Sequence, residues 1–307
     1  MALSTSPVVL GRVACVAVAV GCAVFAMAPT PHTEPRAASG CAGLRPGNAS
    51  LTLTSGGLKR AVRIHVPPVA GRSRRLPLVL ALHGAGGDGL TMESSTGLSR
   101  LSDREGFLVA YPSAYGSRRR WNIAGASGAA PDDVAFMRQL LDDLAQRNCV
   151  NPRRVFATGV SNGGGMVARL GCDLSDRLEA VAPVAGGYST LPPCRPARPV
   201  SVLEIHGWGD PVVPYTGREP THEGSVREFI ENWLARDRCP RKPVRTVPAA
   251  RVRRADWSPC KRHSAVAHIK MLDGGHAWPG GAALTEQRKG RAVLSATQQV
   301  WRFFAAR

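Results

Sequence analysis

No segment of the 307-residue chain repeats at a fixed period, sustains a heptad or runs on as long low-complexity sequence. Those absences argue against a solenoid, a coiled coil and two modules joined by a disordered tract. One folded domain remains the expectation, and a chain with a mean hydropathy of -0.11 has the apolar content to give it a large core. Acidic residues are also scarce: 22 Asp and Glu against 40 Lys and Arg leave a formal charge of +18. Arginine carries nearly all of it, scattered along the chain rather than gathered on one helix or interleaved with aromatics. Nucleic acid is therefore not expected as a partner, and the charge suits a solvated surface that leans toward anionic wall polymers or lipid head groups. No two of the 8 cysteines stand in C-x-x-C spacing, and the histidines do not cluster with them, which argues against a zinc site. No metal is expected.

An apolar run long enough to span a membrane, ~18 residues or more, is missing too. The run at residues 13–28, after Arg12, is shorter and leads into the Pro- and Thr-rich stretch 29–36. Its small-residue exit, Ala26-Met27-Ala28, resembles a signal-peptidase site, although Pro29 hinders a cut directly after Ala28. Residues 1–40 are thus read as an export signal with a flexible mature N-terminus, and 41–307 as a single domain. Ala19-Val20-Gly21-Cys22 resembles a lipoprotein attachment box without its usual leading leucine, so membrane association is expected only if Cys22 is lipidated. The expected location is extracellular, either free or as a cell-envelope lipoprotein. Beyond the signal stand Cys41, Cys149, Cys172, Cys194, Cys239 and Cys260. An even count suits an oxidising compartment. Fifteen pairings are possible in principle; neighbours pairing with neighbours, Cys172 with Cys194 and Cys239 with Cys260, would leave Cys41 for Cys149.

Residues 51–54 and 62–66 flank Ser55-Gly56-Gly57 and read as an antiparallel hairpin at a sheet edge. Short continuous apolar runs at 76–82, 107–111, 155–158, 181–185, 200–205 and 265–272 read as buried strands. Helical spacing marks 131–147, where Asp132 and Asp133 favour the start by their charge, then 162–170 and 295–304. Strands alternating with helices imply an α/β fold, a mostly parallel central sheet with helices on both faces and ligands at the carboxyl ends of the strands.

Gly159-Val160-Ser161-Asn162-Gly163 matches G-x-S-x-G, in which flanking glycines permit a tight strand-to-helix turn that lifts a serine hydroxyl clear of the backbone. A serine hydroxyl is a weak nucleophile near neutral pH. It needs a histidine base, and the histidine needs a carboxylate to hold its tautomer. In α/β-hydrolases these follow in the order serine, acid, histidine. Asp210 in His206-Gly207-Trp208-Gly209-Asp210 and His276 in Asp273-Gly274-Gly275-His276 each come just after a strand has ended. Asp237 and Asp256 read as loop residues beside cysteines, and Asp273 is too near His276 in the chain to approach it from a separate strand. The amide of Asn162, with that of Ala85 or Gly84 in the loop His83-Gly84-Ala85-Gly86-Gly87, is the expected oxyanion hole. Trp278, Trp121 and Asn122 are candidates to line the substrate pocket.

The strings LVLALHGAGGDG, DDVAFMRQLLDDL, RVFATGVSNGGGMVARLGCDL, VLEIHGWGDPVVPY and GGHAWPG together resemble the secreted polyhydroxybutyrate depolymerase and feruloyl esterase family, which includes exported lipoprotein esterases. The resemblance spans about residues 41–307. It implies an α/β-hydrolase with a serine triad at Ser161, Asp210 and His276, acting on extracellular esters without metal or organic cofactor. It also implies paired cysteines at Cys172/Cys194 and Cys239/Cys260. Trp208 and Gly209 depart from it, standing where small or polar residues are common. The function expected is a secreted serine esterase acting on hydroxybutyrate-type, feruloyl or acetyl esters, free or linked to a polymer or polysaccharide. The alternatives are a cell-envelope acyltransferase on the same fold and a non-catalytic wall-associated binding protein that keeps the scaffold.

Overall fold

The computed structural model describes residues 44–71, 75–125, 130–218, 220, 224–281 and 294–307. The export segment, Cys22 and Cys41 lie outside them, and with Cys41 the expected pairing to Cys149; Cys149 itself is buried.

Alternation of apolar and polar residues around Ser55-Gly56-Gly57 builds a hairpin of β1 (Gly47–Ser55) and β2 (Leu58–Val66), with Ser55 opposite Leu58. Gly56 and Gly57 both take positive φ, 56° and 76°, as a two-residue turn of this hand demands. The remaining strands are β3 (Leu76–Leu82), β4 (Leu108–Pro112), β5 (Val150–Val160), β6 (Ala180–Val184), β7 (Ser201–Gly207), β8 (Val244–Thr246), β9 (Val252–Trp257) and β10 (Val266–Met271). They form one 10-stranded sheet in the order β1-β2-β4-β3-β5-β6-β7-β10-β9-β8. From β4 to β10 every pairing is parallel; β2 joins β4, β9 joins β10 and β8 joins β9 antiparallel.

Successive side chains of a strand point to opposite faces, so each central strand feeds two cores. Leu78, Leu80 and Leu82 of β3 pack with α3 (Asp133–Gln146), α4 (Asn162–Asp173) and α5 (Val226–Arg236). Val79 and Ala81 pack on the other face with α1 (Gly89–Thr96), α2 (Leu98–Glu105) and α6 (Ala296–Ala305). The anchors there are stacked rings, Phe156 on Phe304 at 4.7 Å and Phe107 on Trp301 at 3.9 Å. On α3 the stripe Met137, Leu140, Leu141 and Leu144 is buried, each side chain contributing about 1.5–3 kcal/mol. Both near-neighbour disulfides are present. Cys172–Cys194 ties α4 to the chain ahead of β7, and Cys239–Cys260 ties the end of α5 to the chain ahead of β10; bridges of this kind typically stabilise by about 2–4 kcal/mol.

Several elements differ from the sequence reading. Asp132 caps α3 by accepting from the Ala135 amide, whereas Asp133 is buried and ion-paired to Arg60 at 2.6 Å, with the guanidinium 4.0 Å from the Phe136 ring centre. Asp133 therefore closes a buried charge pair rather than only favouring the helix end. Asp256 lies on β9, paired to Arg254, rather than in a loop, and Asp237 stands in the turn just after α5 but is fully buried. α5 itself was missed, although Ser225 and Glu228 carry the S-x-x-E signature and the Ser225 hydroxyl does accept from the Glu228 amide.

Candidate active site

β5 runs into α4 through Ser161, whose φ of 58° is unusual for a residue with a side chain. The turn is this sharp because glycines flank it. A Cβ on Gly159 would lie 2.7 Å from the Gly163 carbonyl oxygen, and one on Gly163 would overlap the carbonyl oxygens of Leu82 and His83. The Ser161 amide donates to Val184 O of β6 at 2.9 Å, and its carbonyl accepts from Gly165 at 2.9 Å to begin α4. The side chain is left at the carboxyl end of the sheet, half-buried.

There it meets residues from two further strand ends. Ser161 Oγ lies 2.8 Å from His276 Nε2, and His276 Nδ1 lies 2.8 Å from Asp210 Oδ2. The other oxygen of Asp210 accepts from the Val212 and Val213 amides at 2.9 and 2.8 Å. Burial works against ionising Asp210, but hydrogen bonds from His206, His276 and these amides hold its carboxyl well below the usual carboxylate range. An ionised Asp210 fixes the His276 proton on Nδ1 and leaves Nε2 as acceptor for the serine hydroxyl. Asp273 points elsewhere, to Arg251 at 3.4 Å.

The loop 83–87 passes over Ser161: a Cβ on Gly84 would sit 3.3 Å from Ser161 Cβ. His83 is buried, which lowers its pKa, so it is a neutral ring that donates through Nδ1 to Gly84 O at 2.7 Å and accepts the Ala114 amide through Nε2 at 3.0 Å. Gly87 N closes the turn onto Gly84 O at 3.1 Å. Neither the Asn162 nor the Ala85 amide has a protein acceptor among the described residues, and both stand beside the serine in the chain or in the overlying loop. The Asn162 side chain is committed otherwise, accepting from Trp121 N at 2.7 Å and donating to Trp121 O at 3.1 Å.

The three residues read as pocket walls have other places. Trp278 is buried against α6, donating to Thr297 Oγ1 at 2.9 Å. Trp121 is buried and donates through Nε1 to His83 O at 2.9 Å, so it ties the glycine loop to the turn that carries Ser161. Asn122 bridges helices: its amide donates to Asp133 Oδ2 at 2.7 Å and its carbonyl accepts from Arg169 at 2.8 Å. A cavity of about 440 Å³ does open beside the acid turn, lined by Val212, Val213, Pro214, Tyr188 and Ser189, none of which sequence reasoning singled out. Reasoning from sequence also missed Glu204 and His206, buried behind Asp210; their signal was two ionisable residues in an otherwise apolar strand. Among the described residues no cluster of His, Cys, Asp and Glu is arranged to hold a metal ion, and no helix is long and apolar enough to cross a membrane.

A mostly parallel sheet with helices on both faces, and a serine, histidine and aspartate brought together at its strand ends, define an α/β-hydrolase. Residues 61–190 match the family model described as Esterase PHB depolymerase. The candidate esterase NocK of Nocardia uniformis subsp. tsuyamanensis is 32% identical over 250 residues, covering 73% of this chain and 72% of that protein. Feruloyl esterase B of Piromyces equi is 30% identical over 237 residues; these are 71% of this chain and 42% of that protein, so the chain spans less than half of that relative's length. The fold is also that of the acetyl xylan esterase from Aspergillus awamori, with a TM-score of 0.58 at 16% identity over 84% of this chain and 99% of that one. The chain belongs to the esterase PHB depolymerase family and is a serine carboxylic-ester hydrolase.

Proposed function

We propose that the protein is an extracellular esterase that works through an acyl-enzyme, with Ser161 as nucleophile, His276 as general base and acid, and Asp210 as the carboxylate that orients His276. The observation that carries this reading is the continuous pair of 2.8 Å contacts from Ser161 Oγ through His276 to Asp210. Ser161 Oγ bonds to the ester carbonyl carbon as its proton passes to His276 Nε2. The oxyanion that forms is received by the amides of Asn162 and Ala85 or Gly84, one such donor being worth about 100-fold or more in rate. Collapse breaks the ester C–O bond, and the alkoxide leaves with the proton from His276. Water then repeats the sequence, and the free acid departs.

The cavity by Val212, Val213 and Tyr188 seats the acyl group, because its lining follows β6, whose Val184 O accepts the Ser161 amide, and the turn after β7 that carries Asp210. Its apolar walls suit an acetyl, hydroxybutyryl or feruloyl group, in line with the names of the relatives. The two disulfides support export to an oxidising compartment, with residues 41–307 acting as one catalytic domain. The test is hydrolysis of p-nitrophenyl esters from acetyl to octanoyl, together with a feruloyl ester, by the mature chain and Ser161→Ala. Loss of on the order of 10⁴-fold or more in the variant is expected, and equal activity in both would overturn the reading.

A further inference from the structure

β7, Ser201-Val202-Leu203-Glu204-Ile205-His206-Gly207, is buried at every position between two parallel neighbours. Ionisable side chains in such a strand cost several kcal/mol each unless they are paired. Glu204 and His206 are nonetheless there, with no exposed side-chain surface, on the same face of the strand. His206 Nδ1 donates to Glu204 Oε1 at 2.9 Å, and the Tyr188 hydroxyl donates to that oxygen at 3.0 Å. The other carboxylate oxygen lies 2.7 Å from His268 Nδ1, on the β10 residue in register with Glu204, and His268 Nε2 lies 2.9 Å from the Tyr215 hydroxyl. On its far side, His206 Nε2 is 3.0 Å from Val213 O and 3.4 Å from Asp210 Oδ2. That oxygen is the one His276 faces.

Both ring nitrogens of His206 thus face oxygens that only accept. A neutral imidazole would turn a lone pair toward one of them, so the arrangement requires the doubly protonated ring. We propose that His206 is a permanently charged positioning residue, an imidazolium held between Glu204 and Asp210 that fixes the carboxylate of the triad in place and offsets part of its charge. The inference rests on the triad reading and extends it two residues inward. Burial disfavours the charge, yet Asp210 and Glu204 outweigh it and hold the His206 pKa well above its ordinary value. Tyr215 stands with its ring 5.9 Å from that of His206; His268 contacts both Tyr215 and Glu204, and Lys270, in register with His206 on β10, has its ammonium 3.5 Å from the Trp208 ring centre and 4.6 Å from that of Tyr215. His206 has no surface by which to touch an ester.

His206→Gln keeps a polar side chain and removes the cation. With p-nitrophenyl acetate, kcat should fall on the order of 10- to 100-fold while KM stays within about twofold, as expected when a reacting group is misplaced but the binding surface is intact. The acid limb of kcat/KM should move up by about one pH unit, because Glu204 and Asp210 lose their counter-charge. Since the variant could fail to fold, the ring-nitrogen NMR of histidine-labelled Ser161→Ala supplies an independent readout. One imidazolium should persist at pH 8.5, and it should disappear from the His206→Gln spectrum if that variant folds. Absence of any imidazolium at that pH, or an unchanged kcat and acid limb in His206→Gln, overturns the proposal. Full activity in Ser161→Ala would instead overturn the triad reading beneath it.

Discussion

The two halves of the catalytic centre are built on opposite principles. On the nucleophile side no ion touches Ser161: glycines at 159 and 163 let backbones approach, a neutral His83 and Trp121 brace the loop overhead, and backbone hydrogen bonds hold Ser161 in place, with the charges of Asp133 and Arg169 one residue further out on Asn122. The acid side is a chain of buried charges, Glu204 to His206 to Asp210, that ends on the partly exposed ring of His276. A nucleophile needs a fixed backbone, which sterics supply without regard to pH. A carboxylate that must stay ionised out of water needs cations and amides around it, and these tie its geometry to protonation. Changes on the first side should therefore act alike at every pH, and changes on the second should not.

The sharpest break of this contrast is Asp210→Asn. It keeps the shape and removes the charge that fixes the His276 tautomer, so kcat for p-nitrophenyl acetate should fall on the order of 10⁴-fold near pH 7. A loss below tenfold would mean that another group orients His276.

Asp237 offers the contrast a control, since it is a buried carboxylate without the cations that surround Asp210. It lies at the end of α5, fully buried, and neither of its oxygens has a well-formed hydrogen bond among the described residues. Burial pushes its pKa up to about 6, opposite in direction to Asp210. A carboxyl raised in the folded state contributes stability that is fully present below its unfolded pKa of about 3.9 and is lost as pH rises through the folded value. Asp237→Asn should remove that loss. Compared by urea unfolding at pH 4 and pH 7.5, the variant should gain about 2–3 kcal/mol on the wild type over the interval, from a shift of about two pKa units. Parallel pH profiles for the two proteins would show that Asp237 ionises freely. His206 acts in a different window: its raised pKa contributes stability below about pH 6.5 that is lost only as pH climbs through the folded value.

Sequence exposed the parts of this enzyme whose cause is local. The nucleophile turn needs glycines two residues either side of a serine, and Asp210 and His276 follow strands whose apolar runs are plain. The hairpin, the central strands and the two near-neighbour disulfides were legible for the same reason. What stayed hidden depends on partners distant in the chain. Trp278 stands next but one to His276, yet its ring is turned by Thr297 and α6 into the core. Trp121 and Asn122 stand out in the sequence as candidates to line the pocket, but Asn162, Asp133 and Arg169 decide that they brace the site rather than line it. Glu204 and His206 were passed over because a strand read by its apolar run averages its two polar residues away. β8 and β9 carry too little apolar pattern to be seen, since they form the sheet edge.

The smallest effect tests the nucleophile side on its own terms. Trp121 joins two parts of the site: its backbone pairs with the Asn162 side chain on the Ser161 turn, and on the glycine loop its Nε1 holds His83 O while its ring lies 5.0 Å from that of His83. Trp121→Phe leaves the backbone pairing and most of the packing and removes the single bond to His83 O. One such bond is worth about 1 kcal/mol, so the loop should lose some of its hold over Ser161, and kcat should fall about fivefold to tenfold with KM unchanged. Because no group on that side changes charge, the ratio of variant to wild-type kcat should be the same at pH 6 and pH 9. A ratio that drifts with pH would show that the brace is coupled to the charged chain behind Asp210, and that the two halves of the centre are not separate.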